Sequence, residues 1–424
     1  MLVLAGCAGG ARPAGSAPVT IHVPQDAATI SDAVSAAQPG DLVLVSPGVY
    51  QESVVVRTAN VTLRGTDRNS VIIDGQVRRA NGIVVSAPGV TVANLTVRNY
   101  TLNGVLVTGM SDDSGTGIAK GSDGYRSLDP AKFPPLQGFR VSYVTASDNG
   151  LYGIYAFDTQ NGVIEQNYAS GSADSGIYVG QCRPCRIVVR DNVAERNAVG
   201  YEGTNASGQM YVVGNRFTAN RVGLTTDSDH QEALVPQTGA TIAGNLVSAN
   251  ADPVSPAQAE GGFGLGIGIA GGTENLVTRN RIADNPTAGV ELASAEDMPP
   301  LRNQVTANLL SGNGIDLVYA ASERAPGSGN CLRDNTLAST LPAGLVTSMP
   351  CPAGGQVAGA VMPAARAPAG VPFTDVPAPP PQPNMPGPVA PMSAPAADFL
   401  DRFDVGSVTM PGDDLLADRA VRKL

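Results

Sequence analysis

The chain has 424 residues, with 50 glycines, 33 prolines, no tryptophan and a formal net charge of −10. That charge excludes a surface built for nucleic-acid phosphates, and it suits a polyanionic uronan only if a basic strip or a divalent cation such as Ca²⁺ intervenes. No stretch reaches the ~20 apolar residues that a spanning helix needs.

At the start, Leu4-Ala5-Gly6-Cys7 matches a bacterial lipobox. The resemblance implies that Cys7 becomes a lipidated first residue on the outer side of a cell membrane, with residues 8–18 as its tether. The three residues before the box are too few for a signal segment, which reads as a start set too far downstream. Val19 to Tyr50 then reads strand, helix, strand. Ile30, Ala33, Val34 and Ala37 stand at helical spacing, and Pro39-Gly40 stops the helix. Short β-branched runs follow at Val54–Val56, Val61–Leu63, Val71–Ile73, Ile83–Val85, Val90–Val97 and Gly104–Val107.

From residue 149 to residue 335 one phrase keeps returning: a polar turn, a glycine, then a β-branched or aromatic residue. Gly153, Gly176, Gly200 and Gly223 are 23, 24 and 23 residues apart; Gly266, Gly289 and Gly314 are 23 and 25 apart. Asparagines run out of phase with them, at Asn167, Asn192, Asn215, Asn245, Asn280, Asn308 and Asn335. A period in the low twenties names a stacked-repeat architecture. The runs are too short and too rich in Gly and Asn for paired helices. The reading is an all-β, single-stranded right-handed parallel β-helix over residues 19–345, with the first helix capping its N-terminal end. Each asparagine suits a left-handed strand corner, and stacked side-chain amides can bond from coil to coil.

The phrases NGLYGIYAF (149–157), ADSGIYVGQC (173–182) and VTRNRIADN (277–285) resemble the β-helix repeat family shared by pectate lyases, uronan epimerases and a periplasmic accessory protein of nitrous-oxide reductase. The resemblance covers about 19–340. It implies the fold, an N-terminal plug and polysaccharide chemistry. Lyases and epimerases of this fold need a base and a group that neutralises a uronate carboxylate. Tyr155 or Tyr178 with His230 is the candidate set here. Tyr152 to Asp158 is similar to a Tyr-Gly-Phe-Asp-Pro-His-Asp catalytic phrase of mannuronan epimerases, without its Pro and its His.

Three breaks interrupt the repeat: Met110–Gly138, with Asp112, Asp113, Asp123, Tyr125, Arg126 and Lys132; Asp227–Gly239, with Asp229, His230 and Glu232; and Ala251–Gly262. A solenoid admits insertions at its corners, often around a binding face. With the repeated glycine as origin, Ile154, Ile177, Tyr201, Leu224, Ile267, Val290 and Ile315 point inward. Tyr155, Tyr178, Glu202, Thr225, Gly268, Glu291 and Asp316 point outward as one stripe, with Phe157, Asp158, Thr204 and Asp227 beside it. Aromatics next to carboxylates suit a sugar chain. The candidate substrate-binding residues are therefore Tyr155, Phe157, Asp158, Tyr178 and Glu202. The candidate catalytic residues are Tyr155, Tyr178, Glu202, Asp227 and His230.

Cys182 and Cys185 are open to three readings: a redox pair, half of a metal site, or a staple across one corner. Two histidines in the whole chain leave too few ligands for zinc, and a strand before Cys182 does not lower a thiol pKa as a helix N-terminus would, so the staple is expected. Cys331 with Cys351 would pin the last coil. After Leu341 the repeat ends. Residues 346–396 are Pro/Ala-rich and read as a disordered linker; residues 397–424 regain apolar side chains and either dock back or stay loose. Two function classes follow: a monomeric cell-envelope lipoprotein that recognises, and in one version processes, a polysaccharide; or a non-catalytic scaffold that presents the same face to a protein partner.

Overall fold

A computed structural model describes residues 16–110, 133–352, 354–363, 366–396 and 398–421. Cys7, its tether and the polar centre of the first insertion lie outside the described residues.

The strands stack as parallel rungs around one axis, three short strands to a coil. The first face runs from Thr20–Val23 through Ile187–Arg190 to Cys331–Arg333, and the second from Gly48–Tyr50 through Val193–Ala194 to Leu309–Ser311. Val90–Arg98 and Leu136–Ser147 bend across the corner between them and join both into one hydrogen-bonded sheet. The third face is a separate sheet of eleven strands, from Val54–Val56 to Thr340–Leu341. Alternation sends one side chain in two to the axis, and Ile154, Ile177, Tyr201, Leu224, Ile267 and Val290 form one inward column there. Each such buried apolar side chain stabilises the fold by ~1.5–3 kcal/mol.

The recurrent glycines stand in a column because the corner has no room for a side chain. A Cβ on Gly153 would come within 2.6 Å of the Gly176 carbonyl, and one on Gly200 within 2.4 Å of the Gly223 carbonyl. The column ends one coil early. Gly289 faces Asp316, not Gly314, because that rung runs 27 residues where the one before it runs 23. The inward residue of that coil is accordingly Leu317 and the outward one Val318; Ile315 is half-exposed, and Asp316 instead caps the backbone of Ala338 and Ser339.

The asparagines form the expected ladder between the first and second faces. Asn192 Nδ2 donates to Asn215 Oδ1 at 2.9 Å, Asn215 to Asn245 at 3.0 Å, and so on to Asn335. A second ladder, unforeseen, runs five residues later at the corner between the second and third faces: Asn197, Asn220, Asn250, Asn285 and Asn313. A shorter third one joins Gln237, Asn275, Asn303 and Asn330.

The N-terminal end is closed by the helix Ile30–Ala36. Thr29 caps it by accepting from the Asp32 N–H, Glu52 accepts from the Ile30 and Ser31 N–H groups, and Ile30, Ala33, Val34 and Ala37 are all buried. Both cysteine pairs are disulfides. Cys182–Cys185 staples the corner after the third face, and Cys331–Cys351 ties the last coil to the short helix Leu345–Ser348 that follows it.

The described residues of the Pro-rich segment form no strand and no core of their own, as its composition dictates. Its described residues run extended along the wall. The Met392 carbonyl accepts from Thr62 and Thr91, and the Pro388 carbonyl from Arg64, while Asn384 Oδ1 accepts from the Arg68 N–H. The chain then turns back: Arg279 donates to the Val405, Gly406 and Val408 carbonyls, and Arg216 to those of Asp413 and Leu415. Arg419, buried, donates to Gln166 Oε1 and to the Asp191 and Asn167 carbonyls, and its own carbonyl accepts from Gln382 Nε2. The tail is thus a strap that closes on itself.

Candidate functional site

The outward side of the third face is where loops and titratable groups gather. The first and second insertions leave from the ends of its strands, and the third enters just before Leu265–Ala270. Register puts Val84, Leu106, Tyr155, Tyr178, Glu202, Thr225, Gly268, Glu291 and Val318 in one outward column. Thr108, Phe157, Gly180, Thr204 and Asp227 form the next column over.

The N-terminal half of this stripe is apolar and covered. Tyr155 and Tyr178 are each 3% exposed and Phe157 not at all; they pack with Val84, Leu106 and Met110, and with the partly buried Phe133 and Tyr152. The Tyr155 and Tyr178 rings meet edge-on with centroids 5.0 Å apart, and Tyr152 lies 4.5 and 4.6 Å from them. These rings point out of the coil, as alternation predicts, yet offer no open platform for a pyranose. That corrects their expected stacking role: the second insertion and the flanks of the first lie over them.

The second insertion is held down by specific bonds. Tyr178 OH donates to Glu232 Oε1 at 2.5 Å, and the Ala233 N–H donates to Gln181 Oε1 at 2.7 Å. Gly180 makes this possible, since a Cβ there would stand 2.5 Å from the Tyr178 ring and 3.1 Å from Glu232 Oε2. Glu232 is therefore a member of the face. The sequence offered one signal for it, a carboxylate in a break that follows a strand of the stripe.

The C-terminal half is polar and partly open. Glu202 and Asp227 are half-buried, and Thr204 Oγ1 stands between them, 3.3 Å from Glu202 Oε1 and 3.2 Å from Asp227 Oδ2. Ser175 Oγ donates to Glu202 Oε2 at 2.6 Å and lies 3.1 Å from Asp174 Oδ1. Loss of water pushes every one of these carboxyls up. Glu232 rises to about 8, and Asp227 and Glu291 to about 7. Glu202 goes well above the usual range through burial, then through the charges of Asp174 and Asp227; Asp174 is raised by burial and then by Glu260. Among the described residues no Arg, Lys or His forms an ion pair with Asp174, Glu202, Asp227, Glu232 or Glu291.

Two other expected residues lie elsewhere. His230 is exposed and turned away from the tyrosines. Its Nε2 lies 2.8 Å from Asp297 Oδ1, a bond that raises its pKa. It cannot serve as their base, because its loop points it at residues 296–297. Asp158 is buried at the turn after Ile154–Phe157, its carboxyl raised to about 7 by burial, so it does not stand on the open strip. Among the described residues, His230, Glu296 and Asp297 form the group whose donor atoms converge within 4.8 Å as a metal site would need, and all three are exposed. Among the described residues the carboxyls of the third face form no such group. What the strip can do is exchange protons near neutrality and accept hydrogen bonds.

A family model described as "right handed beta helix region" matches residues 81–235 and 135–303. No curated protein matches the chain. Among solved structures, the A-module of the Azotobacter vinelandii mannuronan C-5 epimerase AlgE4 is similar at 15% identity, over 71% of this chain and 88% of that one, with a TM-score of 0.48. The Dettilon tailspike protein is similar at 13% identity, over 74% of this chain and 62% of that one, with a TM-score of 0.53. The periplasmic alginate epimerase AlgG is similar at 15% identity, over 71% and 80%, with a TM-score of 0.37.

Proposed function

The chain belongs to the right-handed β-helix family, and on that premise we propose that it is an exported protein that recognises a polysaccharide along the polar half of its third face. The observation that carries this reading is the set of half-buried carboxyls Glu202, Asp227 and Glu291, which stand on two neighbouring outward columns of the third face. Coils ~4.8 Å apart present polar groups at regular intervals, which suits an extended polymer of repeating units. Two disulfides suit an oxidising compartment, and no helix among the described residues is long and apolar enough to cross a membrane. Anchoring through a lipid on Cys7 completes the proposal.

Where the face acts on its ligand, the chemistry it favours is acid–base. Glu202 and Asp227 share one hydroxyl, and Glu232 keeps its proton at pH 7. A pair of carboxyls, one protonated and one not, is what glycoside cleavage uses. Uronate lyase or epimerase chemistry has less support, because it needs a cation beside the uronate. The scaffold reading has less support too, because the apolar half of the face is already covered by the protein's own residues. The test is a glycan array with the full chain, followed by a reducing-end assay on whatever binds. Retention that falls in Glu202→Gln supports the reading; an array with no ligand, or one unchanged by Glu202→Gln, overturns it.

A further inference from the structure

We propose that His230, Glu296 and Asp297 hold a divalent transition-metal cation of the Zn²⁺ class, and that this cation pins the second insertion to the turn after Ala288–Ala293. The site is separate from the third-face strip, and its test is independent of the glycan reading.

The donor atoms of the three side chains all lie within 4.8 Å of one another, although His230 and Asp297 are 67 residues apart in sequence. Bonds within each segment set them in place. Ala295 and Met298 exchange backbone bonds of 3.0 and 2.8 Å, which puts Glu296 and Asp297 at the tip of a two-residue turn. On the other side, Ser228 Oγ donates to the Gly271 carbonyl, the Asp229 N–H to Asn205 Oδ1, and the Gln231 N–H to Asp229 Oδ1, so the backbone is held before and after His230. The His230 and Asp297 side chains are 47% and 52% exposed, so a cation reaches them from solvent with no change of fold.

The other histidine of the chain gives the comparison. His22 also meets a carboxylate, with Nδ1 3.0 Å from Asp26 Oδ2, but this partner is four residues away and its Oδ2 already accepts from the His22 N–H. Among the described residues no third donor joins that pair. The His230 set differs in being assembled across the fold, and it has a second feature. A hollow of about 220 Å³ opens against it, lined by His230 and Asp297 together with Val235, Pro236, Met298 and Leu301. Apolar walls with a few convergent polar groups are the ordinary make-up of a ligand site. Three protein ligands leave a coordination position free, and the hollow gives room beside them for water or a ligand oxygen. The imidazole selects the metal: it suits Zn²⁺ and its neighbours, whereas Ca²⁺ takes oxygen ligands and more of them.

The experiment is calorimetric titration of the full chain, untagged and stripped with a chelator, at pH 7.5 with Zn²⁺ and separately with Ca²⁺. One Zn²⁺ per chain should bind with a Kd of about 10 μM or tighter, and Ca²⁺ at least about tenfold more weakly. His230→Ala and Glu296→Gln should each weaken Zn²⁺ about tenfold or more, while His22→Ala changes it less than twofold. All three positions are exposed, and circular dichroism of each variant checks that the coils remain. Zn²⁺ should also slow proteolysis within residues 227–239 in the wild type and not in His230→Ala. A Zn²⁺ Kd weaker than about 1 mM overturns the site. So does Ca²⁺ binding as tight as Zn²⁺, or an equal loss in His22→Ala and His230→Ala, since the cation would then be held by the chain's overall charge. Unchanged proteolysis with Zn²⁺ bound removes the pinning of the insertion.

Discussion

Replacing Asn215 by Ala tests the ladder as a source of stability. Asn215 Oδ1 accepts from the Asn192 backbone N–H at 3.0 Å and from Asn192 Nδ2 at 2.9 Å; its own Nδ2 donates to Asn245 Oδ1 at 3.0 Å and to the Val189 carbonyl at 2.9 Å. Asn245 Oδ1 keeps a second donor, the Asn215 backbone N–H. Truncation therefore strands two N–H groups and one carbonyl in a fully buried corner. At ~1–3 kcal/mol for each unsatisfied buried group, and with a water admitted to answer part of the demand, the loss is about 3–6 kcal/mol. Asn335 gives the internal comparison. It accepts from Asn308 and donates to the Val305 carbonyl in the same way, but stands half-exposed at the end of the ladder, where bulk water replaces it. Asn335→Ala should cost about 1 kcal/mol. Urea unfolding followed by circular dichroism, with refolding checked, measures both. Equal losses, or less than about 1 kcal/mol for Asn215→Ala, would refute the claim that burial of the rung sets its worth.

Glu232 carries a pH prediction. Its folded pKa of about 8 stands above its ordinary 4.5, so the folded chain holds this proton better than the unfolded one. The contribution is full below 4.5 and is lost as pH rises through about 8. The urea midpoint should fall between pH 5 and pH 8.5, and fall less in Glu232→Gln; an unchanged slope in the variant would count against a buried carboxyl at this position. Arg419→Ala should loosen the strap, since three bonds from one buried charged donor are lost at once, each worth ~1.5–3 kcal/mol. Limited proteolysis should then cut within residues 398–421 before it cuts the coils, and a cleavage pattern like that of the wild type would mean that the strap is held elsewhere.

Much of the fold was legible because a repeated unit states its rule many times. Seven asparagines at one phase gave the first ladder. The second ladder carries the same spacings shifted by five residues, and an eye fixed on one series passes over the other. The last coil was misplaced at Ile315 and Asp316 because a count from glycine assumes that each rung begins at its glycine, and the rung from Val290 to Leu317 is 27 residues long. The site was legible only in part. Alternation separates inward from outward, so it put Tyr155, Tyr178 and Glu202 on one wall; it does not say what lies over that wall, and the tyrosines proved covered. Glu232 entered the site through Gly180, a residue whose relevance is the space it leaves. Composition showed that the Pro-rich tail could build no core of its own, and was silent about arginines on the coils that wait for its carbonyls.

Those arginines make the strap a gauge. Its anchors are set at fixed heights, from Thr62 near one end to Arg279 well up the stack, and the loop closes where Gln382 meets Arg419. Stacked-repeat proteins usually gain or lose units with little penalty, because each unit touches only its neighbours. Here a duplicated or deleted coil would shift the anchors on one side of it by one strand spacing, ~4.8 Å, and the strap would have to change its span to keep them all. The number of coils is thereby coupled to the length of a segment that contributes none of them.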